Sequence, residues 1–106
     1  MKTIIGTFVR PDGTVASGAT LTLLISQDAV ASGQGVIEHA PVTVTLDDTG
    51  SIPADTTIWA NDELLPSGTY YVVSVKDQDY GQIYFERLTI SGFSPIDLST
   101  IAPELV

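Results

Sequence analysis

Hydrophobic and polar residues alternate along most of the chain. The clearest case is the segment in which Leu21, Leu23 and Ile25 are separated by Thr22 and Leu24. Alternation of this kind predicts β-strands with one face on a hydrophobic core, and many of the residues involved are β-branched or aromatic, as is typical of strands. The pattern predicts strands near residues 3–9, 19–26, 36–38, 42–46, 57–59, 69–76 and 82–90.

Turn signals separate these segments at short intervals. Pro11-Asp12-Gly13, Asp48-Thr49-Gly50 and Asp79-Tyr80-Gly81 combine residues that favour tight turns, with glycine available for a positive φ. Many short strands with regular turns predict an all-β sandwich or barrel. No helix of normal length is indicated, although residues 26–31 and 94–101 could each form one helical turn. Residues 27–35 form the longest stretch without a pattern, either a plain connection or a contact loop.

The length of 106 residues predicts one domain. We expect a β-sandwich over residues 1–93 and a tail over residues 94–106 that packs on the domain or on a neighbouring subunit. Ile96, Leu98 and Ile101 are the apolar residues of the tail that require burial. The short, interrupted apolar stretch at the N-terminus is not typical of a signal peptide, so we expect synthesis and release in the cytoplasm.

The composition is strongly acidic, with a formal net charge of -9 and only four lysines and arginines. These four are scattered, whereas binding to nucleic acids or to anionic membranes requires clustered basic residues. We therefore expect no nucleic-acid or membrane partner. Solubility is the favoured explanation of the acidic surface, and the alternative is that this surface faces a basic partner. The absence of cysteine excludes disulfides and thiolate chemistry.

Residues that could carry chemistry are few, and each has a structural explanation. His39 is the single histidine, but no Gly-x-Ser-x-Gly motif accompanies it, so an ordinary surface role is favoured. Two acidic turns could hold calcium, yet position twelve of the second, counted from Asp77, is Leu88 instead of the glutamate of a calcium loop. We predict no catalytic, cofactor-binding or metal-binding residue and no enzymatic activity. The two acidic turns are Asp47-Asp48 and Asp77-x-Asp79-x-Gly81, and the second is expected to be a hairpin turn. Asp62 and Glu63 could serve as paired carboxylates for glycoside hydrolysis, but adjacent residues of a strand face opposite ways, so a solvated loop is expected.

Two aromatic residues are candidates for contacts with a partner. Trp59 ends a predicted strand, where it could lie in the core, stack on a sugar or anchor an interface. Tyr70 and Tyr71 are adjacent in a strand and point to opposite faces, so one of them is exposed. We expect Trp59, Tyr70, Ile96, Leu98 and Ile101 to form the interface.

Two sets of residues resemble known families. The first hairpin resembles that of prealbumin-like, carboxypeptidase-regulatory-like sandwiches, although Ala16 stands where that pattern favours proline; the matching residues are Gly6, Pro11, Gly13, Gly18, Ala19 and Leu21. The stretch from Ala60 to Val73, with Asn61-Asp62, Leu64, Pro66, Gly68-Thr69 and Tyr71, resembles small sandwich domains of tailed-phage and prophage structural proteins. The expected fold is thus a single antiparallel sandwich of about seven strands, immunoglobulin-like or prealbumin-like.

The second resemblance implies a virion role without catalysis, as a capsid decoration, a tail-fibre base or an adaptor. It also implies other virion proteins as partners and a symmetric homo-oligomer, with a trimer favoured. The alternative is a carbohydrate-binding or adhesive module of a bacterial protein that uses Trp59 and tyrosines as stacking platforms.

Overall fold

The chain folds as an all-β domain, as the alternation predicts. The computed structural model describes residues 1–31 and 33–101. These residues form ten strands and two short 3₁₀ helices, Asn61–Glu63 and Leu98–Thr100. The strands are β1 (Lys2–Ile5), β2 (Thr20–Ile25), β3 (Ala29–Ala31), β4 (Gly35–Ile37), β5 (Pro41–Thr45), β6 (Thr57–Ile58), β7 (Leu64–Leu65), β8 (Tyr71–Asp77), β9 (Gly81–Leu88) and β10 (Ile96–Asp97).

The strands are arranged in three small sheets and not in one clear seven-stranded sandwich. The largest sheet is antiparallel, with the order β5-β2-β8-β9. A second sheet has the order β10-β1-β6, and its β1–β10 pair is parallel, unlike the purely antiparallel arrangement expected. The third has the order β4-β3-β7. β4 and β5 belong to different sheets, and in the short connection between them the N–H of Ala40 donates to the carbonyl of Glu38 at 2.8 Å.

The alternation places the predicted residues in the core. Leu21, Leu23 and Val73 are 0% exposed, whereas Thr22 and Ser74, on the opposite face, are only partly buried. All three sheets contribute side chains to one hydrophobic core, in which apolar burial supplies about 25 cal/mol per Å² of stabilisation. The predicted helical turn at residues 26–31 is wrong, since Ala29–Ala31 is strand β3.

The tail from Ile96 packs on its own domain as far as the structure describes it. Strand β10 pairs with β1, with Ile4 opposite Ile96, and the Leu98 side chain is 0% exposed. Residues 102–106, which also belong to the predicted tail, lie outside the described residues.

Candidate protein-binding surface

The outer face of the sheet β4-β3-β7 carries a row of exposed apolar side chains. Val30 lies opposite Val36 on one neighbouring strand and opposite Leu65 on the other. The exposed fractions are 68% for Val36, 45% for Val30 and 57% for Leu65. Side chains at directly opposed positions have Cβ atoms about 4.5–5.5 Å apart, so the three form a continuous surface. We call Val36, Val30 and Leu65 the apolar row.

Acidic residues flank the apolar row at one end of the sheet. Ala29 pairs with Ile37, so the next residues outward, Asp28 and Glu38, lie at the same end, and both are exposed. The carboxylate of Asp28 accepts a hydrogen bond from the backbone N–H of His39 at 2.6 Å. The strands of this sheet contain no charged residue, so the face combines an uncharged apolar centre with an acidic end.

The four basic residues offset only part of the charge of the thirteen acidic residues, and most of the four are engaged in contacts within the chain. Lys2 pairs with Asp62 at 2.9 Å, and Arg10 pairs with Asp77 at 2.8 Å. The Arg87 guanidinium lies 3.9 Å from the centroid of the Tyr70 ring. Among the residues that the structure describes, Lys76 takes part in no ion pair or ring contact of this kind, and it is exposed. The chain therefore carries a clear excess of negative charge, with a formal net charge of -9.

The residues predicted as an interface do not form one surface. Ile96 and Leu98 are 6% and 0% exposed, so both are core residues of this chain and are not available to a neighbour. Ile101 is half-buried against the same core. Tyr70 is half-buried and stacked with Arg87, while Trp59 is half-buried beside the core. The apolar row was missed because β3 and β7 are too short to show alternation.

The predicted chemical candidates take part in local structure. His39 Nδ1 lies 2.5 Å from the carbonyl oxygen of Ile25. One oxygen of Asp47 accepts hydrogen bonds from Thr49 N–H and Ser51 N–H, at 2.9 and 3.0 Å, and stabilises the turn. Within the described part of the chain, no group of three or more histidine and acidic side chains is placed to hold a metal ion. Residues 1–31 and 33–101 likewise contain no helix with the length and apolarity of a membrane span.

Asp77 is buried and forms the most enclosed ion pair. Its side chain is 0% exposed and accepts from Arg10 Nε at 2.8 Å. Its second oxygen accepts from the N–H groups of Asp79 at 2.9 Å and Tyr80 at 3.2 Å. The hydrogen bond from Arg10, with those from the two backbone N–H groups, holds the pKa of Asp77 below its ordinary value of 3.8. The turn from Asp77 to Gly81 is thus held by the hydrogen bonds that Asp77 accepts from Arg10 and from the backbone of Asp79 and Tyr80.

Asp77→Asn is expected to lower the stability of the fold in a pH-dependent way. Because the pKa of Asp77 is lower in the folded state, its ionised form stabilises the fold at neutral pH, and this contribution is lost as the pH falls through the folded pKa. The variant should melt several degrees lower at neutral pH, and the gap should begin to narrow below about pH 4 and close once the pH is under the folded pKa of Asp77. Thermal unfolding of the wild type and of Asp77→Asn across this pH range measures the difference in melting temperature. Asp48→Asn, at an exposed turn position, is the control. An equal gap at all pH values would contradict the prediction.

Comparison of the sequence with models of known protein families and with curated proteins finds no match.

Proposed function

We propose that this chain is a non-enzymatic structural protein of a tailed-phage virion, a capsid decoration, fibre base or adaptor that acts through protein–protein contacts. The observation that supports a protein–protein contact is the apolar row, whose three side chains are 45–68% exposed on one sheet face. Exposed apolar patches bordered by polar residues mark interaction sites in soluble proteins. The virion setting comes from the resemblance of the Ala60–Val73 stretch to phage structural domains.

The proposed occupant of the apolar row is another virion protein that presents apolar side chains beside lysine or arginine. Charge complementarity favours it, because the acidic end at Asp28 and Glu38 borders the row and the whole chain carries -9. A second copy of this chain would bring the same negative charge to the contact. Electrostatic attraction to a basic partner also speeds association, and salt weakens it.

The finer description of the fold is part of the proposal. A prealbumin-like or immunoglobulin-like sandwich would place the sheet β5-β2-β8-β9 against the smaller sheets. It is supported by the single core that all three sheets share. In such a sandwich the outer sheet faces and edge strands remain available for neighbouring subunits.

Val30→Asp is expected to remove the contact while the fold persists. A carboxylate at the centre of the apolar row would lose its hydration against the apolar side chains of the occupant, which should lower incorporation into particles by at least about tenfold. The measurement is quantitative mass spectrometry of density-gradient-purified particles of the phage that encodes the chain. Val42→Asp is the matched control, because Val42 is 47% exposed, against 45% for Val30, but lies on β5 of another sheet.

Absence of the wild-type chain from purified particles would overturn the virion role. Equal incorporation of Val30→Asp and wild type would overturn the role of the apolar row. Light scattering over a salt series tests the oligomer, for which a trimer is favoured. Self-association that strengthens with salt and is abolished by Val30→Asp would show that a second copy occupies the row, contrary to the proposed basic partner.

Carbohydrate binding or adhesion, in a bacterial surface protein, is the second candidate function. One observation favours it: the half-buried Trp59 lines an open pocket together with polar side chains. The two functions use different residues and are tested separately.

A further inference from the structure

Trp59 lines an open pocket beside the sheet β4-β3-β7. The lining residues are Met1, Ala31, Gln34, Trp59 and Glu63, and the volume is about 570 Å³. This size lies within the range of about 300–1,000 Å³ typical of small-molecule sites. The lining residues thus include one aromatic, one acidic and one amide residue. None of these residues belongs to the apolar row.

The backbone of Trp59 is held by a hydrogen bond from a buried tyrosine. The hydroxyl of Tyr71, a residue 4% exposed, donates to the Trp59 carbonyl at 2.7 Å. Burial raises the pKa of Tyr71 to about 12, so its hydroxyl keeps the proton that it donates throughout the neutral pH range. The Trp59 side chain packs partly against the core. An aromatic ring fixed in this way loses little conformational entropy when a ligand stacks on it.

Local hydrogen bonds position the carboxylate of Glu63, whereas Gln34 is exposed and only its backbone is held. Glu63 ends the 3₁₀ helix Asn61–Glu63, and its Oε1 accepts from the N–H of Ala60 at 2.9 Å. Its Oε2 accepts from the amino group of Met1 at 3.3 Å. Each carboxylate oxygen retains capacity for a further hydrogen bond. The N–H of Gln34 closes a turn onto Ala31 at 2.8 Å, and its side-chain amide forms no hydrogen bond with the residues that the structure describes.

We propose that this pocket binds a neutral saccharide. The C–H face of a pyranose ring would stack on Trp59, and neighbouring ring hydroxyls would donate to Glu63 and exchange hydrogen bonds with the Gln34 amide, which offers both donor and acceptor. The carboxylate of Glu63 and the net charge of -9 disfavour anionic ligands. The site does not depend on the protein contact proposed above, since a virion subunit and a surface adhesin can both carry it.

The test uses the fluorescence of Trp59, which is the single tryptophan of the chain. Glucose, galactose and N-acetylglucosamine are titrated separately into the whole protein, up to about 100 mM, because a small open site predicts a Kd on the order of 1–10 mM. We expect at least one of the three to shift the emission in a saturable way. Gln34→Ala should weaken that sugar at least about fivefold through loss of its hydrogen bonds.

Gln78→Ala is the matched control, because Gln78 is an exposed glutamine in the turn between β8 and β9 and does not line the pocket. This variant should bind the sugar as the wild type does. No saturable change with any of the three sugars would overturn the proposal, and so would equal affinity in wild type and Gln34→Ala. Neither result bears on Val30, so failure here is distinguishable from failure of the virion contact.

Discussion

Gly50→Ala should lower the free energy of unfolding by about 2–5 kcal/mol, because left-handed strain of about 1–2 kcal/mol adds to about 1–3 kcal/mol of overpacking. This is a large part of the about 5–15 kcal/mol that stabilises a typical domain. Gly50 has a φ of +74°, and a Cβ atom there would lie 2.7 Å from the carbonyl oxygen of Phe8 and 2.8 Å from the nitrogen of Ala16. Both are backbone atoms and cannot rotate away. Urea unfolding followed by Trp59 fluorescence measures the loss.

The clash is severe because three backbone segments meet at Gly50. The N–H of Phe8 donates to the Gly50 carbonyl, and the N–H of Ala16 donates to the Phe8 carbonyl, each at 3.0 Å. Any displacement that relieves the Cβ contact therefore lengthens a hydrogen bond that joins the N-terminal segment to the following hairpin.

Gly18→Ala separates the clash from the backbone strain. Gly18 has almost the same φ, +71°, but a Cβ atom there would meet nothing within 4 Å. An alanine in the left-handed region costs about 1–2 kcal/mol, so this variant should lose only that amount. Equal losses at the two positions would show that strain accounts for the whole effect and that the close approach at Gly50 is relieved at no cost.

Leu98→Ala should lower the free energy of unfolding by about 2–5 kcal/mol, the range found when a buried leucine is truncated and leaves a cavity. Leu98 lies in the 3₁₀ helix Leu98–Thr100, after the strand that pairs with β1, and is 0% exposed. The same urea experiment measures the loss. The result decides how much the tail from Ile96 contributes to the stability of its own domain.

Leu65→Ala is the control, because the same side chain is truncated at a position that is 57% exposed. It should change stability by no more than about 0.5 kcal/mol, while removing one member of the apolar row. The pair of variants thus separates stability from contact: Leu98 acts within the chain, and Leu65 acts toward a partner. A stable Leu98→Ala protein would contradict the burial of the tail.

The sequence alone predicts the central strands and turns closely. β2 and β8 lie where the alternation places them, and the residues expected to face the core, such as Leu23 and Val73, are 0% exposed. The turn before Gly81 also follows from its local residues. These features are local, since alternation and turn residues report which face of a strand is buried and where the chain reverses.

The candidate surface could be predicted only in part. Trp59 stands out in the sequence as a possible stacking platform, and the structure places Gln34 and Glu63 beside it, a combination that no local pattern indicates. The predicted contact residues Ile96 and Leu98 are apolar because they serve the core of their own chain. An apolar side chain in a tail carries no information on which surface will cover it.

Sequence by itself determined the all-β class, the inward faces of the longer strands and the acidic character of the surface. Only the tertiary structure decided that the strands form three sheets, that β10 pairs in parallel with β1, and that Val36, Val30 and Leu65 form one exposed row. The physical reason is the range of the interactions. Side-chain alternation is encoded by neighbouring residues, whereas the pairing of β7 with β3 and of β10 with β1 depends on partners that are tens of residues away.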